Sequence, residues 1–219
     1  MADHSMMAHN ADAAVIRMYF EDIELELLQM IQKRSDKGKS FTADDWIMNQ
    51  SREVRRLRNE MESYGLNVTT EFSEMLDVLI DDVYADYSDG FRSDFEAAGS
   101  YGFNAISLTA LNTLKNEQMR LFNQAFGKYI DSNVKDYQST MSEAVRASVQ
   151  VESGNKAFYD AVKDGVLKSA EKGLTGFTDT AGRKWTMPTY MDMFVKTTMF
   201  NVANQALFDE MQDHNHDLM

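Results

Sequence analysis

The stretch GLTGFTDTAGRKWTMPTY, residues 173–190, decides the fold because helical periodicity gives way there to a compact turn. Phe177–Thr178 and Lys184–Trp185–Thr186 predict two very short strands. The residues Asp-Thr-Ala-Gly between them have the chemistry of a turn, and Gly182 suits the left-handed position of a short hairpin loop. The pattern therefore predicts a β-hairpin.

Helical signals lie on both sides of this hairpin. Gly173 is typical of a helix end. Thr186 is suited to cap the next helix, and Pro188 lies in its first turn, where a missing N–H costs nothing. From Tyr190 onward, apolar or small positions recur at helical spacing: Met191, Phe194, Val195, Thr198, Met199, Val202 and Ala206.

The rest of the chain predicts six further helices, at 12–34, 42–63, 69–98, 107–131, 133–152 and 155–173. Thr42 and Asp45 resemble a capping box at the start of the second. We expect residues 64–67 and Asn133 to separate neighbouring helices, and Gly99–Gly102 to be the main internal boundary. The expected fold is mainly α, with about seven helices and a short hairpin near Phe177–Trp185. It divides into an N-terminal region, 1–98, and a C-terminal region, 103–219.

Composition excludes several classes of protein. The 219 residues contain no cysteine, which excludes disulfides and thiolate metal sites. The formal net charge is −13, and phosphate binding needs Lys and Arg, so we expect little direct DNA binding and favour a basic partner surface. No run approaches the roughly 20 apolar residues that span a bilayer. Residues 1–10 do not have the pattern of a secretory signal.

No catalytic, cofactor-binding or metal-binding residue is predicted. The histidines lie near the two ends, where frayed chain cannot position a base. The segment 213–217 contains potential metal ligands, but a mobile acidic tail is the favoured interpretation. Four arginines, Arg52, Arg55, Arg56 and Arg58, form either an anion-docking face or a solvated face paired with local glutamates. The solvated face is favoured.

Within the hairpin, Asp179 and Arg183 are expected to pair across the turn while Trp185 packs against Phe177. This clasp would fix the start of the last helix. A catalytic Asp–Arg site is the alternative interpretation, and it is disfavoured because no nucleophile or histidine lies nearby.

The same residues carry a resemblance to a known family. Phe177, Asp179, Ala181–Gly182–Arg183 and Trp185 are similar to a motif Phe-x-Asp-x-Ala-Gly-Arg-x-Trp, and Tyr190 to Thr197 is similar to Tyr-x-x-Met-x-x-Arg-Thr. Both occur in the minor capsid proteins of Gram-positive tailed phages, which are relatives of the head-morphogenesis protein F of phage Mu. Lys196 stands where the family usually has Arg. The resemblance implies structural roles for Phe177, Asp179, Gly182, Arg183, Trp185, Tyr190, Lys196 and Thr197.

The resemblance implies a non-enzymatic minor head protein inside the capsid, near the portal vertex, made in the cytoplasm of the host bacterium. Such a protein acts in head assembly, DNA packaging or genome ejection. Its implied partners are the portal protein and other head proteins, with self-association left open. The alternatives are the carrier module of a phage-delivered toxin, an enzyme acting on the cell envelope or on DNA, and a helical cytoplasmic adaptor.

Overall fold

The computed structural model describes residues 2–37, 42–99, 108–149, 159–165, 167 and 176–214. Helix α1 spans Ala2–Lys37, α2 spans Ala43–Ala97 and α3 spans Leu108–Val149. A short helix, α4, covers 159–165. The hairpin consists of β1, Phe177–Thr178, and β2, Lys184–Trp185, and the last helix, α5, spans Met187–Asp213. The prediction of a mainly α protein with a hairpin before the last helix is confirmed.

The described residues form five helices, so the predicted number of seven was wrong. The predicted break at residues 64–67 does not occur, because α2 continues through Gly65. A Cβ atom built on Gly65 would lie 3.0 Å from Cε1 of Phe126 and 3.1 Å from Cδ1 of Ile130. Gly65 therefore allows α2 to approach α3 closely, and this requirement explains a glycine that the sequence pattern assigned to a helix end.

Gly65→Ala is expected to leave the protein less stable than Gly90→Ala by about 1–2 kcal/mol, because the added methyl group overpacks its contact with Phe126 and Ile130. Gly90→Ala is the matched control, since Gly90 also lies inside α2 but has open space around its Cβ position. There alanine should stabilise by about 0.5–1 kcal/mol through its helix propensity. Urea unfolding of both variants measures the difference, and equal stabilisation at the two positions would contradict the close approach at Gly65.

The predicted break at Asn133 is also absent, because α3 continues past it. Asn133 is buried, and its Nδ2 donates to the carbonyl oxygen of Tyr129, four residues earlier in α3, at 2.9 Å. The side chain thus bonds within the helix instead of capping a new one. Ser35 behaves in the same way at the end of α1, donating to the carbonyl of Ile31 at 3.0 Å. Helix α1 therefore extends beyond Arg34, where it was expected to end.

Two predicted boundaries have the expected geometry. The Thr42 N–H donates to Oδ2 of Asp45 at 2.9 Å, and the Asp45 N–H donates to Oγ1 of Thr42 at 3.0 Å, so the capping box at the start of α2 is formed. At the other end, Gly99 has a φ of 86° just after α2 ends. Residues 100–107, and residues 155–158, 166 and 168–173 of the predicted helix at 155–173, lie outside the described residues.

The chain forms two compact units. The first comprises Met1–Met18, Thr69–Asn123 and Thr189–Met219, and its buried residues include Ile16, Phe72, Leu76, Val83, Phe122, Met191, Val195 and Val202. The second comprises Tyr19–Val68 and Gln124–Pro188, and its buried residues include Phe20, Leu27, Trp46, Leu57, Met61, Phe126, Tyr129 and Phe177. Each unit takes segments from both the 1–98 and 103–219 regions; that sequence division stays a prediction.

Candidate functional site

The hairpin is closed by the backbone of its own turn. Phe177 pairs with Trp185 and Thr178 with Lys184 in an antiparallel register. The Asp179 N–H donates to the Arg183 carbonyl at 3.0 Å, and the Gly182 N–H donates to the Asp179 carbonyl at 3.1 Å. Gly182 has a φ of 81°, the left-handed conformation that its position in the loop predicted.

The carboxylate of Asp179 is the centre of this hairpin because four donors converge on it. Its Oδ1 accepts from the backbone N–H groups of Ala181 and Arg183, both at 2.9 Å. Its Oδ2 accepts from Nε of Arg183 at 2.7 Å and from the indole Nε1 of Trp185 at 2.9 Å. The Arg183 guanidinium also lies 5.4 Å from the centroid of the Trp185 ring. One carboxylate therefore connects the turn, the arginine and the tryptophan.

These contacts favour the ionised form of the Asp179 carboxyl. The hydrogen bond from Trp185, followed by those from Arg183, holds the pKa of the Asp179 carboxyl well below its ordinary value of 3.8. A carboxyl with a lowered pKa is a poor proton acceptor at neutral pH, and both oxygens already accept two hydrogen bonds each. The arrangement supports the clasp over a catalytic Asp–Arg site.

Acid titration followed by NMR is expected to release the Trp185 indole. A lowered folded pKa means that the stabilisation by ionised Asp179 is present above pH 3.8 and is lost as the pH falls further. The ¹⁵N–¹H indole resonance of Trp185 should therefore shift in strongly acidic solution. Trp46 is the internal control, because its Nε1 is buried and has no hydrogen-bond partner among the described residues. In Asp179→Ala, the Trp185 resonance should already be displaced at neutral pH; an unchanged resonance would contradict the contact.

The hairpin is attached to α3 through its first strand. Phe177 is buried, and its ring makes an edge contact with Tyr129, with 6.4 Å between centroids. Ser132 Oγ donates to the Gly176 carbonyl at 3.1 Å. A Cβ atom on Gly176 would lie 2.2 Å from the Trp185 carbonyl oxygen. The two backbone segments are therefore too close for a side chain at position 176, which explains why this residue is glycine. Trp185 is half-buried, so Phe177 is the residue that anchors the clasp in the core.

The remaining residues of the resemblance lie on α5. The Tyr190 ring lies beside that of Phe194 in a tilted arrangement, with 6.1 Å between centroids. Lys196 is exposed, and its Nζ lies 2.8 Å from Oδ2 of Asp192, one turn earlier. Thr197 is exposed, and its Oγ1 donates to the carbonyl of Met193 at 2.9 Å. Their contacts within α5 are local, and their structural roles stay a proposal.

Sequence reasoning missed a buried polar cluster in the first unit. Asp209 and Glu210 near the end of α5 are both buried. Tyr84 donates to Oδ2 of Asp209 at 2.6 Å, while Ser88 and Arg92 donate to Oε1 of Glu210, the arginine at 2.7 Å. Tyr84, Ser88 and Arg92 are spaced four residues apart on α2, and this polar stripe was the available signal. The cluster attaches α5 to α2.

His214 belongs to the same cluster, although it was expected in a frayed tail. Its side chain is buried and stacks on Phe95, with 4.9 Å between ring centroids. Its Nε2 lies 3.8 Å from Oε2 of Glu210. Ser88 and His214 therefore meet opposite oxygens of one carboxylate. A nucleophile–base relay needs the histidine between the serine and the acid, so this order does not support nucleophilic catalysis.

The second unit contains an unusual carboxyl on α1. Burial, followed by the charge of nearby Glu21, raises the pKa of Glu24 from 4.5 to about 7. Oε1 of Glu24 has no hydrogen-bond partner among the described residues. Burial, followed by the charge of Glu24, raises the pKa of the Tyr129 hydroxyl on α3. Ionising Glu24 is therefore costly in the folded protein.

The wild-type protein is expected to be less stable at neutral and alkaline pH because Glu24 ionises there, and Glu24→Gln should remove this effect. Because the folded pKa of Glu24 exceeds its ordinary value, the folded state binds more protons between pH 4.5 and about pH 7, so wild-type stability falls as the pH rises through that window. At about pH 8 the variant should be more stable by about 2 kcal/mol, and at about pH 4 the difference should vanish. Glu26→Gln, at an exposed position of α1, is the control. Parallel pH–stability curves for all three proteins would contradict the burial effect.

The arginine cluster has an ordinary explanation, whereas residues 215–217 of the segment with potential metal ligands lie outside the described residues. Arg56 lies 2.7 Å from Glu53, and Arg58 lies close to Asp131 and 3.6 Å from Glu62, so local ion pairs account for much of the arginine cluster. Within the described ranges, no group of three or more metal-binding side chains could hold an ion. Among the same residues, no helix has the length and apolar character to cross a membrane.

The described residues form a mainly helical protein with a short hairpin and buried polar side chains. Residues 7–219 match the family phage minor capsid protein 2, which covers nearly the whole chain. The chain belongs to this family and is a structural component of the phage virion. The resemblance to phage minor capsid proteins is thus confirmed. Comparison with curated proteins and with solved structures finds no match.

Proposed function

We propose that this minor capsid protein lies inside the head near the portal vertex, where it acts in head assembly, DNA packaging or genome ejection. The family match over residues 7–219 carries this proposal, because it supports a virion structural role and contact with other head proteins. The portal protein is the proposed partner, and self-association is a second proposed contact.

Exposed apolar side chains support a role within an assembly. Large apolar residues remain exposed on several helices: Val15, Met18, Leu25, Ile47, Met48, Leu66, Val78, Leu167, Phe200 and Phe208. In an isolated protein this surface is in water, whereas neighbouring head proteins would bury it. Long helices with apolar groups on more than one side are suited to such contacts.

The charge of the protein supports a position beside DNA without tight binding to it. A net charge of −13 repels the phosphate backbone, and repulsion would allow a duplex to pass. The proposed action in packaging or ejection therefore relies on protein partners. Strong, salt-dependent binding of the purified chain to duplex DNA would contradict this part of the proposal.

Cross-linking mass spectrometry of purified virions tests the location. Lysine-reactive cross-links are expected between this chain and the portal protein, at a higher frequency per copy than links to the major capsid protein. Lys135 and Lys196 offer exposed amines on α3 and α5. The same reaction on portal-less particles is the control, and the chain should be depleted from them. Links to the major capsid protein alone would contradict the portal location while leaving the virion role intact.

A further inference from the structure

An apolar groove with an acidic rim lies between α1 and α2 in the first unit. It has a volume of about 400 Å³, and its apolar lining is formed by Val15, Ile16, Met75, Val78 and Leu79. Val15 and Val78, on facing walls, are 59% and 60% exposed. Met18, one turn beyond Val15 on α1, is 63% exposed. Apolar side chains on both walls thus remain in contact with water.

Carboxylates line the same groove. Asp12 lies on the α1 wall, and Glu74 and Asp82 lie on the α2 wall, all three at exposed positions. The two acids of α2 are eight residues apart and flank Val78 on either side by one turn. The lining described for this groove includes no lysine or arginine. The groove thus combines an apolar centre with a negatively charged rim, and protein interfaces have the same division into an apolar core and a polar rim.

We propose that this groove docks an amphipathic helix of a partner protein, with an apolar ridge flanked by Lys or Arg. A groove between two helices accepts the ridge of a third helix, whose apolar residues recur at i, i+3, i+4 and i+7. Basic residues beside that ridge would meet Asp12, Glu74 and Asp82. The surface is independent of where in the head the protein lies.

Charge favours this occupant over a second copy of the chain. Each copy has a formal net charge of −13, so two acidic rims brought together repel each other. The acidic rim speeds the association of a basic helix and weakens the binding of an acidic one. The groove is therefore expected to distinguish helices by the sign of the charges beside their apolar ridge.

Fluorescence anisotropy with a designed peptide tests the proposal on the full chain. The probe is a labelled helical peptide with Leu at i, i+3, i+4 and i+7 and Lys on both flanks. A second peptide replaces each Lys with Glu. We expect the Lys peptide to bind at least about tenfold more tightly than the Glu peptide, with affinity falling as salt is raised.

Paired variants separate the groove from general charge attraction. Val15→Ser with Val78→Ser should weaken the Lys peptide about tenfold, and Glu74→Lys with Asp82→Lys should abolish its preference over the Glu peptide. Met48→Ser with Leu66→Ser, and Asp160→Lys with Asp164→Lys, change exposed residues in the second unit and should leave binding unchanged. Because all these positions are exposed, circular dichroism should show folded protein in every case.

Four outcomes would overturn the proposal. They are no binding of the Lys peptide, equal affinity for both peptides, equal weakening by groove and control variants, and a dimer of the chain that Val15→Ser with Val78→Ser dissociates. The last outcome would assign the groove to a second copy. None of them bears on whether the protein is in the virion, which separates this test from that of the proposed function.

Discussion

Phe72→Ala is expected to lower the free energy of unfolding by about 3–5 kcal/mol, the cost of removing a buried aromatic ring and leaving a cavity. The Phe72 side chain is fully buried in the first unit. Its ring lies 4.3 Å from that of Phe122 on α3 and 6.1 Å from that of Phe194 on α5, measured between centroids. The substitution therefore removes contacts that join α2 to two other helices at once.

Phe200→Ala is the matched control, because the Phe200 side chain on α5 is 67% exposed. That variant should change the free energy of unfolding by less than about 0.5 kcal/mol. Urea unfolding followed by circular dichroism measures both. Similar losses for Phe72 and Phe200 would contradict the placement of Phe72 at the centre of the first unit.

Arg92→Met is expected to destabilise the protein by about 2–4 kcal/mol, because it leaves the buried Glu210 carboxylate without its cationic partner. Among the described residues, Arg92 supplies the guanidinium charge that balances Glu210. Its Nη2 lies 2.7 Å from Oε1 of Glu210. Methionine keeps most of the aliphatic stem, so the change isolates the charge and its hydrogen bonds.

Arg120→Met provides the comparison. Arg120 and Glu117 form a pair on the exposed face of α3, with 2.6 Å between nitrogen and oxygen. An exposed pair contributes little, and no measurable change in stability is expected. Glu210→Gln combined with Arg92→Met should recover part of the loss, since the unpaired charge is then gone. No difference between the Arg92 and Arg120 variants would show that Glu210 is well solvated.

The features that sequence predicted correctly depend on neighbouring residues. The hairpin follows from turn chemistry between Phe177 and Trp185, with Gly182 at positive φ. The start of α2 follows from the reciprocal bonds of Thr42 and Asp45. In each case the interacting groups lie within a few residues, so local propensity and capping decide the structure.

The features that sequence missed depend on distant residues. Gly65 is typical of a helix end until its contact with Phe126 and Ile130 is known. Tyr84 and Asp209 are 125 residues apart in the chain, and no local pattern pairs them. His214 was expected in a frayed end because the ring of Phe95, which covers it, could not be placed from the sequence. Tertiary contacts override local signals at all three places.

Quantitative mass spectrometry of purified virions tests the central claim, that this chain is a minor structural component of the phage particle. Particles purified from the phage or prophage that encodes the chain should contain it at a small fraction of the amount of the major capsid protein, and it should remain with the particles through density-gradient purification. Particles that are infectious, contain full heads and lack the chain entirely would contradict the account.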